Sequence, residues 1–190
     1  MITKNDLTTD QKAVLLSLAS LDNKNSQYRI YFEKFLFLLT KSLPDVLEDL
    51  NDTFEAYKLG PYNEYADEIV DGLRDYNLMT SEKDLSEEGK RLANELRNDK
   101  ECQPIISKIQ ELNETLTELN VNDLLYLTYR LYPDYASQSV IAENVKSDKL
   151  ETFKLNVDNL KEGQVLSVRS DKGNDIKVKK DGNKLIILGD

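Results

Sequence analysis

The side chains able to do covalent or acid–base chemistry are few in this sequence, and the gaps are as informative as the contents. The chain has no histidine, one cysteine and seven glycines. Without imidazole there is no Ser-His or Cys-His nucleophile pair, and the commonest general base and zinc ligand are missing. Cys102 has no second thiol to pair with, so it reads as a small apolar filler in place of a reactive group. Neither GxGxxG nor GxxxxGK[ST] occurs, which leaves a nucleotide phosphate without a backbone cradle. Carboxylates abound, but Glu87 and Glu88 are adjacent, and neighbours on a helix diverge by about 100°, so this pair cannot face one substrate. Asp171-Lys172-Gly173-Asn174-Asp175 lacks the DxDxDG spacing of a calcium loop and reads as a hairpin turn. The expectation is a protein with no catalytic residue, no cofactor and no metal, although a site assembled from distant acids stays open.

Two arrays point instead to non-covalent recognition. Tyr126, Tyr129, Tyr132 and Tyr135 recur every third residue, a spacing that suits a base-stacking platform or, as readily, the edge of a helical core. Lys177, Lys179, Lys180 and Lys184 lie in and beside a strand pattern near the C-terminus, where they are candidates to track a nucleic-acid backbone or to keep an exposed sheet soluble. Charge weighs against simple groove binding. Residues 150–190 hold eight basic against seven acidic residues, whereas residues 1–149 hold 17 basic against 28 acidic. DNA affinity rests largely on phosphate neutralisation, so the acidic part would be repelled from a major groove.

The elements that must position these residues are organised around Phe54 to Gly89. Gly60-Pro61 reads as a turn that opens a helix near Tyr62, with Tyr65, Ile69, Leu73 and Tyr76 on its inner face. Glu64, Asp67, Asp71 and Asp75 fall elsewhere around the cylinder. Asn77 stops that helix. Leu78–Thr80 and Lys83–Leu85 can pair as a short wing around Ser81-Glu82, and Ser86, three residues before Gly89, opens the next helix.

Before this stretch, Thr8-Thr9-Asp10 caps a first helix with Val14, Leu15, Leu18 and Leu21 inward. Tyr28 to Leu39 is so apolar that its helix must be buried on most sides, and Val46, Leu47 and Leu50 suggest a short helix after Pro44. Beyond Gly89, Leu92, Ala93 and Leu96 face inward, and Lys100–Pro104 interrupts the helix. Ile105, Ile106, Ile109, Leu112, Leu116 and Leu119 follow with heptad-like gaps, and Asn120–Asp123 caps the tyrosine helix.

The order of these pieces resembles the Panacea domain of SocA-like antitoxins and related phage-associated and archaeal proteins, a winged-helix group. The likeness is carried by Lys34-Phe35-Leu36-Phe37-Leu38-Leu39, by Phe54-Glu55-Ala56-Tyr57-Lys58-Leu59-Gly60-Pro61-Tyr62-Asn63-Glu64, by Leu73 and Leu78, by Leu85-Ser86-Glu87-Glu88-Gly89 and by Leu131-Tyr132-Pro133-Asp134-Tyr135. It covers roughly residues 10–140 and leaves the last forty unmatched. It implies a winged-helix-like fold and an antitoxin- or adaptor-like role, with Tyr62, Asn63, Glu64 and Asp67 as candidate partner-binding residues.

The last forty residues change character. Residues 144–149 read as a linker, and Phe153–Asp158, Val165–Val168, Ile176–Lys179 and Leu185–Leu188 as strands joined at Asp171–Asn174 and Asp181-Gly182-Asn183. The fold class expected is mainly α with a small β part: a winged-helix-like helical domain over residues 1–143, then an antiparallel β meander over 150–190. The apolar share of 39% beside 32% charged residues suits a soluble globular chain, and no run is long enough to span a bilayer. MITKNDLTTD has no apolar signal region, so the expected location is cytoplasmic, away from membranes. Function reads as regulation by association with a protein partner, with DNA bound through the C-terminal lysines as the alternative and a homodimer open in either case. A carboxylate-based enzyme is the third reading.

Overall fold

Side-chain caps fix the starts of four helices in this chain. The computed structural model describes residues 2–21, 28–81, 84–116, 119–145, 161, 163–169, 175–181 and 184–188. Its elements are α1 (Thr9–Ser20), α2 (Tyr28–Ser42), α3 (Glu48–Asp52), β1 (Glu55–Tyr57), β2 (Gly60–Tyr62), α4 (Glu64–Asp75), α5 (Glu87–Arg97), α6 (Gln103–Leu116), α7 (Val121–Leu131), β3 (Val165–Arg169), β4 (Asp175–Asp181) and β5 (Lys184–Leu188). The protein is thus mainly helical with small antiparallel sheets. Thr8, Asn63, Ser86 and Asn120 each accept a hydrogen bond from the backbone N–H three residues on, which satisfies one of the donors a helix start leaves orphaned. No described helix is long and apolar enough to cross a membrane.

The chain forms two compact units, Met1–Phe54 with Asn63–Gln110, and Glu55–Tyr62 with Glu111–Asp190. This grouping interleaves the chain, whereas the sequence reading places one boundary near residue 143.

In the first unit α1 packs against α2, α4 and α5. Its Ala13, Val14, Leu15, Leu16 and Leu18 are all buried, so α1 is enclosed on more than the face that Val14, Leu15 and Leu18 mark. The apolar α2 is buried along Phe35 to Thr40, and Phe37 meets Phe54 edge-on with ring centroids 5.1 Å apart. On α4 the inward residues are Ala66, Ile69 and Leu73. Tyr76, expected on that face, caps the helix instead and is 46% exposed, because Asn77 turns the chain away with a φ of 57°. Asn77 and Leu78 then donate to the Arg74 and Leu73 carbonyls at 2.8 and 2.9 Å, which closes the helix end. Of the expected wing, the described residues form an antiparallel bridge between Met79 and Leu85; Glu82 and Lys83 lie outside them.

Gly89 explains why the start of α5 carries a glycine three residues after its cap. A Cβ built there would sit 2.0 Å from the Leu78 carbonyl oxygen. The close approach is held from both sides: Ser86 donates its N–H to that same oxygen at 3.0 Å and its hydroxyl to the Asn77 carbonyl at 2.7 Å.

In the second unit β1 and β2 form a hairpin in which Glu55, Ala56 and Tyr57 lie opposite Tyr62, Pro61 and Gly60. Gly60-Pro61 is therefore strand, and the turn falls on Lys58 and Leu59. Gly60 has a φ of 88°, and a Cβ on it would meet the Tyr129 ring of α7 at 2.6 Å, so both its backbone and its neighbour demand glycine. The 3₁₀ turn Pro133–Ala136 packs on the hairpin, and Val140 N–H donates to the Lys58 carbonyl at 3.0 Å. β3, β4 and β5 form an antiparallel sheet in that order, with Val178 of β4 buried. The expected strand Phe153–Asp158, the expected turn Asp171–Asn174, Gly182 and Asn183 of the second expected turn and most of the expected linker lie outside the described residues, while Asp181 ends β4.

A methyl group at Gly89 must displace a backbone carbonyl, so Gly89→Ala is expected to destabilise the chain by about 1–3 kcal/mol or more, the cost of overpacking a site that cannot relax. Urea unfolding of the two proteins checks this; an unchanged midpoint would refute the close approach.

Asp10 couples α1 to two other helices. It is 6% exposed, hydrogen-bonds the Tyr65 hydroxyl and lies near Asp49; burial first, then the Asp49 charge, raises its pKa, against the lowering effect of the Tyr65 bond. A raised native pKa means that the folded state holds the proton more tightly than the unfolded one. The ionised carboxylate therefore costs stability at neutral pH, and the cost is relieved as pH falls through the raised pKa toward the ordinary value of about 4. Asp10→Asn should unfold at a higher midpoint than the parent at neutral pH, with the gap closing on acidification. A variant less stable than the parent at neutral pH would contradict this.

Candidate functional site

Among the described residues no three acids or thiols come close enough to hold a metal ion. Cys102 is 1% exposed and burial pushes its thiol pKa up, which keeps the protonated form. The carboxylates of α5 are spent on neighbours: Glu87 on Lys90 at 2.7 Å, Glu88 on Arg91 at 2.6 Å, and Glu95 also on Arg91. Hydrogen bonds from Lys90 and Arg91 hold Glu87 and Glu88 below the usual carboxylate range.

Of the four candidate partner-binding residues the structure leaves three at a surface. Glu64 is exposed, Asp67 is half-buried and paired with Arg29 at 2.6 Å, and Tyr62 is half-buried in β2. Asn63 is the correction. It is 4% exposed, its Oδ1 accepts from Ala66 N–H at 3.0 Å, and its Nδ2 donates to the Leu50 carbonyl at 2.8 Å and the Thr53 hydroxyl at 3.0 Å. A side chain so placed and so consumed offers nothing to a partner. The sequence signal for this was its position before a helical run, which is a cap signature.

The hairpin carries residues that the sequence reading did not single out. Tyr57 is 48% exposed and its ring stands 5.3 Å from that of Tyr62, tilted by 37°, while the Lys58 ammonium lies 5.7 Å from the Tyr57 ring. Val140, beside Lys58 through its backbone hydrogen bond, is 68% exposed. Alternation along Glu55–Tyr57 would have shown it, had Gly60-Pro61 not been read as the end of an element. The tyrosine row of α7 is core edge: Tyr129 is buried, with its hydroxyl 2.8 Å from the Ser139 hydroxyl, and burial pushes the Tyr132 pKa above the normal range. Tyr126 lies under the Arg130 guanidinium at 5.1 Å.

The C-terminal lysines are split by strand period. Lys177 and Lys179 stand two apart on the central strand β4 and share a face, half-buried, opposite Ser167 and Val165 of β3. Lys180 steps to the side of buried Val178, and Lys184 opens β5 opposite Asp181.

A cleft of about 150 Å³ lies in the first unit beside α2 and α4, lined by Tyr28, Arg29 and Glu33 on one wall and Asp67, Val70 and Arg74 on the other. A wider depression of about 330 Å³ runs past Asp84, Lys90 and Arg97. No protein family, curated protein or solved structure matches the chain.

If duplex DNA binds, Lys177 and Lys179 are the pair positioned together. Lys177→Gln with Lys179→Gln should weaken any affinity measured at low salt and flatten its salt slope by up to about two units. A slope unchanged by the double substitution removes β4 from contact.

Proposed function

We propose that this chain is a regulatory protein of winged-helix type that acts by association with a protein partner and does no chemistry of its own, as its resemblance to the antitoxin group implies. What supports the winged-helix part is the succession of α4, the Met79–Leu85 bridge and α5. What carries the association part is the hairpin surface of Tyr57, Lys58 and Tyr62. Tyrosines are enriched among the residues that carry binding energy between proteins, since each offers a large rigid face and a hydroxyl at little entropic cost. Here two such rings meet and remain partly open. The hairpin beneath them is anchored by the Gly60–Tyr129 contact and the Lys58–Val140 hydrogen bond, so the surface is held ready.

The charge balance favours a protein over DNA as the first partner. The exposed acids of α4, namely Glu64, Glu68, Asp71 and Asp75, repel phosphate and attract a basic surface. DNA bound through Lys177 and Lys179 remains the second reading, since these are the charges that the sheet brings together.

The test compares the full chain with Tyr57→Ala, Tyr62→Ala, purified under identical conditions from cells that make it. The expected result is a protein that co-purifies in stoichiometric amount with the parent and drops by tenfold or more with the double variant, each truncated anchor being worth about 1–2 kcal/mol or more. The variant should keep its unfolding midpoint within about 1 kcal/mol, as half-exposed residues do. Tight binding of random-sequence duplex DNA by the parent alone, unaffected by the tyrosines, would overturn the reading.

A further inference from the structure

In the sheet of β3, β4 and β5 the position of one strand disagrees with its composition. β4 lies in the middle and β5 at an edge, and no described strand pairs with the outer side of β5. Yet Leu185-Ile186-Ile187-Leu188 is an unbroken apolar run, the pattern of a strand enclosed within a sheet, where an edge strand ordinarily carries charge or proline. The other edge strand, β3, does carry polar residues in that way, at Ser167 and Arg169.

The register shows which backbone groups point out from that edge. Lys180 donates its N–H to the Gln164 carbonyl at 3.1 Å and its carbonyl accepts from Gly163 N–H at 2.9 Å, so both its groups turn toward the β3 side. Alternation along an antiparallel strand then turns Lys177, Lys179 and Asp181 toward β5, where they lie opposite Leu188, Ile186 and Lys184. Leu185 and Ile187 are left with their N–H and C=O directed away from β4, and such a row is a template for one more strand. A second β5 laid antiparallel about a two-fold axis matches it. Leu185 of each copy then falls opposite Ile187 of the other, Ile186 meets its own copy, and Lys184 falls opposite Leu188, so no like charges meet.

We propose that the chain forms a homodimer in which the two β5 strands pair antiparallel and join two three-stranded sheets into one. A sheet of three strands lies near the lower limit of independent stability, so doubling it adds most where the protein has least. The pairing uses up this edge in both copies and closes there, which a head-to-tail contact would not do. It stands on the register of the sheet and does not depend on the tyrosine surface of the hairpin.

Sedimentation equilibrium of the full chain over a dilution series, with amide hydrogen exchange followed by NMR at the two ends of that series, tests the pairing. The mass is expected to rise from one copy toward two with concentration. The amides of Leu185 and Ile187 should exchange slowly in the dimer and fast on dilution, while those of Ile186 and Leu188, held by β4, stay slow throughout. Ile187→Pro removes an N–H that β4 does not use, and should weaken the dimer about tenfold or more because each copy loses a donor. Ile186→Glu sets a carboxylate opposite Lys179 within the chain but against its own copy across the axis, so its dimer should be lost at low salt and return as salt screens the repulsion. Should Ile187→Pro also speed exchange at Ile186 and Leu188, the salt response of Ile186→Glu decides alone. A parent that stays a monomer at every concentration, slow exchange at Leu185 and Ile187 that dilution does not change, as a segment of the same chain or nothing but local structure would give, or a dimer of Ile186→Glu indifferent to salt would each overturn the proposal.

Discussion

The start of α4 depends on one buried carboxamide. Asn63 ends the strand run and caps the helix in the same residue: its oxygen takes the Ala66 N–H, and its nitrogen reaches back to the Leu50 carbonyl and the Thr53 hydroxyl. Three hydrogen bonds thus fix where α4 begins and tie that start to the end of α3. Each is worth about 1 kcal/mol net, but the cost of leaving any of these buried groups unpaired is larger, so the arrangement is selective as well as stabilising. From that start α4 presents Ala66, Ile69 and Leu73 inward and its acids outward. A cap displaced by one residue would rotate the helix by about 100° and exchange the two sets.

Much of this was legible in the sequence because helix caps and apolar periodicity act locally. Thr8, Ser86 and Asn120 were readable as caps from their neighbours three residues on, and the inward residues of α5 and α6 from their spacing. What was not legible depends on a distant neighbour. Gly60 looked like a turn because glycine before proline usually is one; that it sits in a strand follows from Tyr129, sixty-nine positions away, whose ring occupies the space of a side chain. The need for glycine at position 89 likewise follows from its close approach to the Leu78 carbonyl, which local propensity does not show. At the candidate site the same division holds. The acids of α4 were readable as an outward stripe, whereas the exposure of Tyr57 and the consumption of Asn63 depend on the tertiary partners of each.

Lys34 shows how far packing can override composition. It lies within the apolar run of α2 and is 1% exposed, with its ammonium 3.2 Å from Glu33. Burial lowers its pKa, and the neighbouring Glu33 opposes that shift without reversing it. A buried charge of this kind is weak evidence for stability, since desolvating the two ions offsets much of their attraction.

The exposed ion pairs of α5 contribute little to holding the fold, being i, i+3 and i, i+4 pairs open to water and salt. Cohesion of the first unit comes instead from the apolar inner faces of α1, α2, α4 and α5. That leaves the outward charge of α4 largely free of structural duty, and a chain with ten more acidic than basic residues carries its self-repulsion at some cost to compactness. Arg29 illustrates the balance: by joining Glu33 to Asp67 it relieves repulsion between α2 and α4, and Arg74 does the same for Asp71 on the helix surface, while Glu64, Glu68 and Asp75 remain exposed acids of the same helix. A basic surface laid against α4 would neutralise them without disturbing any packed side chain, and would thereby stabilise the protein that it binds.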